Sequence, residues 1–139
     1  MNVVFDSSAF AKRYIAEPGS EQVDAILQNA AQLGLAALCV PEIVAALNRR
    51  VREGVLPMPG YEQAKAQVMA DVEDASVLQL TPKMVATAVT LLENNVLRAM
   101  DALHVAGALV WQADLFVTAD RRQFAAAQKV GLNAQLVYT

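Results

Sequence analysis

Short apolar runs alternate with longer segments of helical periodicity along the chain. The runs are four to six residues long and apolar at nearly every position, which is typical of strands buried on both faces of a parallel sheet. The predicted strands are Asn2–Phe5, Leu35–Val40, Val77–Leu80, Leu115–Thr118 and Ala134–Tyr138. Strands of this kind, separated by helices, predict an α/β fold in which helices cover both faces of the sheet.

Helix-boundary residues mark the segments between these strands. Ser20 suits an N-cap, Gly34 suits a helix end, and Thr81-Pro82 suits a cap followed by a first-turn proline. The predicted helices are Ser7–Ile15, Glu21–Gln32, Glu42–Glu53, Tyr61–Ala75, Pro82–Asn95, Met100–Gln112 and Arg121–Lys129. The helix at Met100–Gln112 is apolar nearly all round, so we expect it to be buried.

The composition limits the class of protein. Of the 139 residues, 55% are apolar and 18% are charged, so we expect one domain over residues 1–139 with a packed core. The longest mostly apolar stretch, Ala102–Ala113, is shorter than the roughly 20 residues of a membrane span. The N-terminus lacks the basic and apolar regions of a secretory signal. The single cysteine, Cys39, excludes an internal disulfide framework. These observations favour a reducing cytoplasm.

Four acidic residues lie where a parallel sheet places its ligands. Asp6 ends the first strand, Glu42 lies just past the second, Asp120 lies just past the fourth, and Asp101 opens the buried helix. Ligands of open parallel sheets bind outside the carboxyl ends of the strands, so we expect the four side chains to converge there. Each acid alone is explained equally well as a helix cap or first-turn acid, because helix N-termini favour negative charge. This explanation does not account for four such acids at one edge of the sheet.

Four converging carboxylates require a counter-charge, because like charges repel. Oxygen ligands without a His or Cys cluster suit a hard cation, which predicts Mg²⁺ or Mn²⁺. Such an ion activates water as a nucleophile and neutralises charge that develops on a phosphoryl group. The pattern therefore predicts metal-dependent phosphoryl chemistry.

Most basic residues lie near these acids in the sequence. The eight that do, of eleven Lys and Arg, are Lys12, Arg13, Arg49, Arg50, Arg52, Arg98, Arg121 and Arg122. Cations around an acidic centre suit the cleavage of a polyanion. Arg13 and Arg122 are the first candidates for phosphate contact, and solvated helix faces are the alternative for all eight. The net charge of −3 argues against a general nucleic-acid coat protein.

Four segments carry a resemblance to a known family. In chain order between Val3 and Ala125 they are VVFDSSAFAKRYIAEPGS, PEIVAAL, LRAMDALHVAGALV and LFVTADRRQFA. Together they resemble the PIN-domain ribonucleases, and most closely the VapC toxins of bacterial toxin–antitoxin pairs. The resemblance implies a three-layer α/β/α sandwich with a short, mainly parallel central sheet. It also implies a Mg²⁺- or Mn²⁺-dependent endoribonuclease acting on RNA, a cognate antitoxin that blocks the site, and homodimers.

The resemblance also assigns site residues by position. The family's acidic quartet, which serves catalysis and metal binding, falls on Asp6, Glu42, Asp101 and Asp120. Ser8, with Ser7 as the neighbouring option, and Thr118 match hydroxyl residues that support the carboxylates; turn or capping hydroxyls are the alternative. The chain departs from the family where two arginines follow Asp120, since many relatives carry a further acid there. The number of metal ions therefore stays open.

Other residues with chemical potential are expected to be structural. His104 lies one helical turn after Asp101, on roughly the same face, and we expect a satisfied, partly buried side chain rather than a catalytic one. Cys39 is expected to pack in the core, because nothing near it in sequence would lower its pKa. Trp111 and Phe124 are expected in the core rather than as base-stacking platforms.

Two other classes of protein are compatible with an acidic site on this fold. A PIN-like binding module without catalytic activity would act through RNA or protein partners, and an intact quartet argues against it. A haloacid-type phosphatase requires an aspartate where Ser8 stands, and a response-regulator receiver requires an acidic neighbour for Asp6 and a late lysine. Both phosphoryl enzymes are disfavoured.

Overall fold

A five-stranded parallel sheet forms the centre of the molecule in the computed structural model, which describes residues 1–138. The strands are β1 (Asn2–Phe5), β2 (Gln32–Ala36), β3 (Ser76–Leu78), β4 (Leu115–Thr118) and β5 (Ala134–Leu136). Their spatial order is β3-β2-β1-β4-β5, and every neighbouring pair is parallel. The predicted parallel α/β sheet is confirmed, with no antiparallel pair among these strands.

Helices cover both faces of this sheet. Within residues 1–138 they are α1 (Ser7–Phe10, extended by a 3₁₀ turn to Arg13), α2 (Ser20–Asn29), α3 (Cys39–Arg52), α4 (Met58–Glu73), α5 (Pro82–Asn94), α6 (Ala99–Trp111) and α7 (Arg121–Lys129). None of the helices in this part of the chain is both long and apolar enough to cross a lipid bilayer.

Side chains of β1 alternate between two separate cores. Val3 and Phe5 pack with Phe10 and α3 on one face, whereas Val4 packs with Phe116 and the apolar residues of α5 and α6 on the other. Successive strand residues point to opposite faces, so both faces of a central strand must be apolar. This arrangement confirms the predicted α/β/α sandwich and explains why β1 has no polar alternation.

The strand order reverses next to β1. The chain runs outward from β1 through β2 to β3, and then returns to the other side of β1 with β4 and β5. Loops leave the carboxyl ends of β1 and β4 in opposite directions at such a reversal, which opens a crevice between them. Asp6 follows β1 and Asp120 follows β4, so both predicted acids flank this crevice.

The predicted boundaries are wrong at β2. The strand begins at Gln32, three residues earlier than predicted, and α3 begins at Cys39. Gly34 does not end a helix. It lies inside β2, where the Trp111 ring leaves no room for a side chain: a Cβ there would lie 2.7 Å from Trp111 Cζ3. The glycine is therefore explained by a long-range contact that local sequence does not reveal.

The predicted cap of α2 is also wrong. Gly19, with φ of 97°, occupies the cap position, and Ser20 is the first helical residue. The Ser20 hydroxyl accepts the Glu17 amide and donates to the Ile15 carbonyl, which stabilises the preceding turn instead. Thr81, by contrast, caps α5 as predicted, since its hydroxyl accepts the Met84 amide.

Candidate active site

Asp6 is a fully buried carboxylate at the end of β1. It caps α1 by accepting the Ala9 amide at 2.9 Å, and it accepts the Ser8 hydroxyl at 2.7 Å and the Thr118 hydroxyl at 2.9 Å. Burial raises the pKa of Asp6, because water no longer stabilises the charge; the nearby His104 and these hydrogen bonds offset that rise only in part. The surroundings of Asp6 thus stabilise its charged form less well than water does.

Glu42 lies in the first turn of α3 and is half-buried. Its Oε1 atom accepts the Ser7 hydroxyl at 2.7 Å and is 2.6 Å from His104 Nε2. Burial acts to raise the pKa of Glu42, but the hydrogen bonds from His104 and Ser7 outweigh it and lower the pKa below its ordinary value. Glu42 is therefore held as a charged carboxylate.

Asp101 and Asp120 lie together on the other side of Asp6. Asp101, in the first turn of α6, accepts Arg98 Nε at 3.3 Å and Gln123 Nε2 at 3.0 Å. Asp120 caps α7 by accepting the amides of Arg122 and Gln123. Both acids line a depression of about 530 Å³, together with Arg98, Ala119, Arg121 and Arg122.

Two hydroxyls connect Asp6 to the end of β4. Thr118 Oγ1 donates to Asp6 Oδ2 and accepts the Asp120 amide, both at 2.9 Å. Ser8 Oγ donates to Asp6 and accepts the Ala119 amide at 3.0 Å. Thr118 thus contacts both Asp6 and the backbone of Asp120, whereas Ser8 connects Asp6 to Ala119, so both hydroxyls join the ends of β1 and β4.

The four acids share one edge of the sheet without forming a closed cluster. Glu42 lines a separate depression of about 280 Å³ that also contains Ser7, Ser8, Arg49 and Arg50. Within residues 1–138, no three His, Cys, Asp or Glu side chains lie close enough together to hold a metal ion. The four acids therefore follow the predicted positions at the sheet edge, while Asp6 is buried and lines neither depression.

The chemistry of the donor set nevertheless fits a hard cation. All four acids offer carboxylate oxygens, and buried Gln123 adds an Oε1 atom with no partner among the described residues. A buried acceptor without a donor costs free energy unless an ion or water satisfies it. Oxygen ligands of this kind suit Mg²⁺ or Mn²⁺.

Arg13 and Arg122 have different positions relative to the acids. Arg122 is exposed on the rim of the depression that contains Asp101 and Asp120. Arg13 instead forms a bidentate pair with Asp71 of α4, at 2.7 and 3.2 Å, and lines a separate cavity of about 850 Å³ beside the amino ends of β2 and β3. Contact between Arg13 and substrate stays a prediction, and the charge of Arg13 is paired with Asp71 in this structure.

Two side chains of the site were not recognised from sequence. Gln123 donates to Asp101 and contributes its amide to Asp120. The spacing Asp120-x-x-Gln123 is a capping-box pattern that would have placed Gln123 beside Asp120, but not beside Asp101. His104 was predicted to be partly buried and satisfied, but it is fully buried, its Nδ1 has no partner among the described residues, and its Nε2 contacts Glu42 on another helix. Burial raises the pKa of the Cys39 thiol to about 12, which agrees with a packing role.

Replacing Thr118 by Val tests the connection between β1 and β4. Valine has nearly the same shape but leaves the Asp120 amide without its acceptor and Asp6 without one donor. We expect the free energy of unfolding to fall by about 1–3 kcal/mol, measured by urea denaturation without added metal. Thr118→Ser keeps the hydroxyl and should lose less than half as much; equal losses would contradict a role for the hydroxyl.

Comparison with known proteins places the fold. A family model described as the PIN domain matches residues 3–130. PAE2754 from Pyrobaculum aerophilum is 19% identical with a TM-score of 0.72, covering 96% of this chain and 89% of that one. The DNA-bound VapBC structure from Salmonella typhimurium is 11% identical with a TM-score of 0.71, covering 97% of each chain.

A third similar structure is VapC20 from Mycobacterium tuberculosis, described as a sarcin-ricin loop cleaving toxin. It is 16% identical with a TM-score of 0.68, covering 89% of this chain and 94% of that one. No curated protein sequence is significantly similar to the chain. The family match spans most of the sequence and includes all four predicted acids, so the chain belongs to the PIN-domain family.

Proposed function

We propose that the protein is a Mg²⁺- or Mn²⁺-dependent endoribonuclease that hydrolyses RNA phosphodiester bonds. The observation that carries the proposal is the fully buried Asp6, which lies at the strand-order reversal with a raised pKa and with Asp120 tied to it through Thr118. A structural cap does not need a buried carboxylate, since a serine hydroxyl at the position of Asp6 would cap α1 without the cost of desolvating a charge. Family membership supports a nuclease rather than another phosphoryl enzyme.

In this proposal the acids bind the cation, the hydroxyls orient Asp6, and an arginine binds phosphate. Asp6, Asp101 and Asp120 hold the cation, and Glu42 either joins them or orients the attacking water. A bound Mg²⁺ or Mn²⁺ supplies activation of water and neutralisation of phosphoryl charge. Ser8 and Thr118 orient the carboxylate of Asp6. Arg122, exposed beside Asp101 and Asp120, is placed to bind a phosphate of the RNA.

We further propose that the protein is the toxin of a toxin–antitoxin pair and acts in the cytoplasm as a single-domain homodimer. The support is the similarity of its fold to a VapBC structure and to a toxin described as cleaving the sarcin-ricin loop. A small antitoxin encoded next to this chain is expected to block the acidic edge of the sheet. Growth arrest on expression, relieved by that neighbour, would support the toxin assignment; unchanged growth would contradict it.

Metal depletion tests the enzymatic proposal directly. The purified protein should cleave a mixture of structured RNAs with Mn²⁺ or Mg²⁺, lose all cleavage in excess EDTA, and regain it when Mn²⁺ is restored. Fragment ends mapped by primer extension would identify the cleaved bond. Cleavage that persists in EDTA would contradict metal dependence. Absence of both cleavage and Mn²⁺ binding would favour a non-catalytic binding module.

A further inference from the structure

His104 and Ser7 bind the same oxygen of Glu42. His104 Nε2 is 2.6 Å from Glu42 Oε1, the Ser7 hydroxyl donates to that atom at 2.7 Å, and the hydroxyl is 3.2 Å from the same Nε2. Among the described residues, Glu42 Oε2 accepts no hydrogen bond. The two oxygens of one carboxylate are therefore in different environments: Oε1 has two hydrogen-bond partners and Oε2 has none among the described residues.

The three side chains come from three helices. Ser7 lies on α1, Glu42 on α3 and His104 on α6, and His104 is only 1% exposed. His104 also lies one turn after Asp101 on the same helix, so it connects the helix of Asp101 to Glu42. This contact connects the side chain of Glu42 on α3 to the helix that carries Asp101.

The hydrogen-bond network assigns the proton on the ring. Glu42 only accepts, so Nε2 carries the hydrogen that it donates. The Nδ1 atom is buried without a partner among the described residues, so Nε2 is the ring nitrogen that contacts another side chain. The imidazole of His104 thus donates to Glu42 from a core position. Such a position is normally occupied by an apolar residue.

We infer that His104 and Ser7 are positioning residues that hold Glu42 Oε1, so that Glu42 presents Oε2 alone to the cation. The inference rests on the proposed function, because it assumes that Glu42 faces the bound cation. It assigns His104 a role beyond core packing. Residues that orient metal ligands through hydrogen bonds typically change metal affinity by about 10–100-fold when replaced.

Mn²⁺ binding measured by calorimetry without RNA tests the inference. His104→Leu removes the donor and should weaken Mn²⁺ affinity about tenfold or more. His104→Gln restores an N–H near the same place and should recover affinity to within about threefold of wild type, a loss smaller than one neutral hydrogen bond. Ser7→Ala should weaken affinity about fivefold, the loss of one such bond. With RNA, His104→Leu should lower kcat more than it raises KM.

Two controls separate this role from stability and from the proposed function. Val105→Ala, at the next buried position of α6, should lower the unfolding temperature but leave Mn²⁺ affinity unchanged. Glu42→Gln should weaken Mn²⁺ binding if Glu42 faces the cation. Wild-type Mn²⁺ affinity in both His104→Leu and Ser7→Ala, with weak binding in Glu42→Gln, would overturn the inference. It would leave the assignment of Glu42 as a cation-binding residue in place. Wild-type affinity in Glu42→Gln would overturn the assignment of Glu42 itself. If His104→Leu does not fold, Ser7→Ala decides.

Discussion

Replacing Asp6 by Asn is expected to abolish RNA cleavage while leaving the metal-free protein at least as stable as the wild type at pH 7. The loss of a cation-binding carboxylate should lower cleavage by about 10³-fold or more, equivalent to about 4 kcal/mol of transition-state stabilisation. Stability is retained because Asn keeps one carbonyl oxygen for the Ala9 amide, and the hydroxyls of Ser8 and Thr118 can accept as well as donate.

The pH dependence of stability follows from the raised pKa of Asp6. The folded protein binds the Asp6 proton more tightly than the unfolded chain, whose pKa has the ordinary value of 3.8. The contribution of Asp6 to the free energy of unfolding therefore falls as the pH rises from that value through the raised pKa, and stays low above it. The advantage of the Asn variant should grow over the same interval, as measured by urea denaturation without metal.

Metal should reverse this order of stability. At ten times its dissociation constant, Mn²⁺ should stabilise the wild type by about 1.4 kcal/mol and the Asn variant by much less. Asp114→Asn is the matched control, because Asp114 accepts the Asn2 amide before β4, at the opposite edge of the sheet; it should cleave RNA normally. Full cleavage by the Asp6 variant, or lost cleavage in the control, would contradict the assignment of Asp6.

Replacing Gly34 by Val should lower the free energy of unfolding by about 2–3 kcal/mol, a typical cost of overpacking. The new Cβ would meet the Trp111 ring at 2.7 and 2.9 Å and a Val4 methyl at 3.1 Å. Valine favours a strand by about 1 kcal/mol relative to glycine, but the clash with a ring and a central strand outweighs that gain. Urea denaturation should show a lower midpoint with an unchanged slope.

The Trp111 ring should account for most of this cost. In a Trp111→Leu background, Gly34→Val should cost less than half as much, since the smaller side chain leaves room for the new atoms. An equal cost in both backgrounds would show that the β2 backbone, rather than the ring, limits the position. No loss in the single variant would contradict the observed packing.

Sequence predicted the parts of the site that depend on strand ends. Asp6 and Asp120 follow β1 and β4, strands whose predicted bounds match the structure, because an apolar run that stops at an acid is a local signal. The predicted bounds of α7, Arg121–Lys129, also match the structure. These elements required no knowledge of the rest of the molecule.

The parts that sequence did not predict depend on contacts between distant segments. Gly34 was predicted to end a helix. It is glycine because the ring of Trp111, on α6, leaves no room for a Cβ, and this contact is not visible in the local sequence. The ion pair of Arg13 was not predicted because its partner, Asp71, lies 58 positions away. The contact between His104 and Glu42 spans 62 positions, and no local periodicity reports such pairings.

The hydrogen bond from Thr118 to Asp6 joins residues 112 positions apart. Ribosomes synthesise a chain from its amino-terminal end, so Asp6 is made before β4. The hydrogen-bond partners of Asp6 are therefore incomplete until β4 has been synthesised. An unfinished chain that ends before Thr118 lacks the neighbour strand, the hydroxyl and Asp120 together. The order of synthesis thus keeps this corner of the molecule unassembled until β4 and Asp120 have been made.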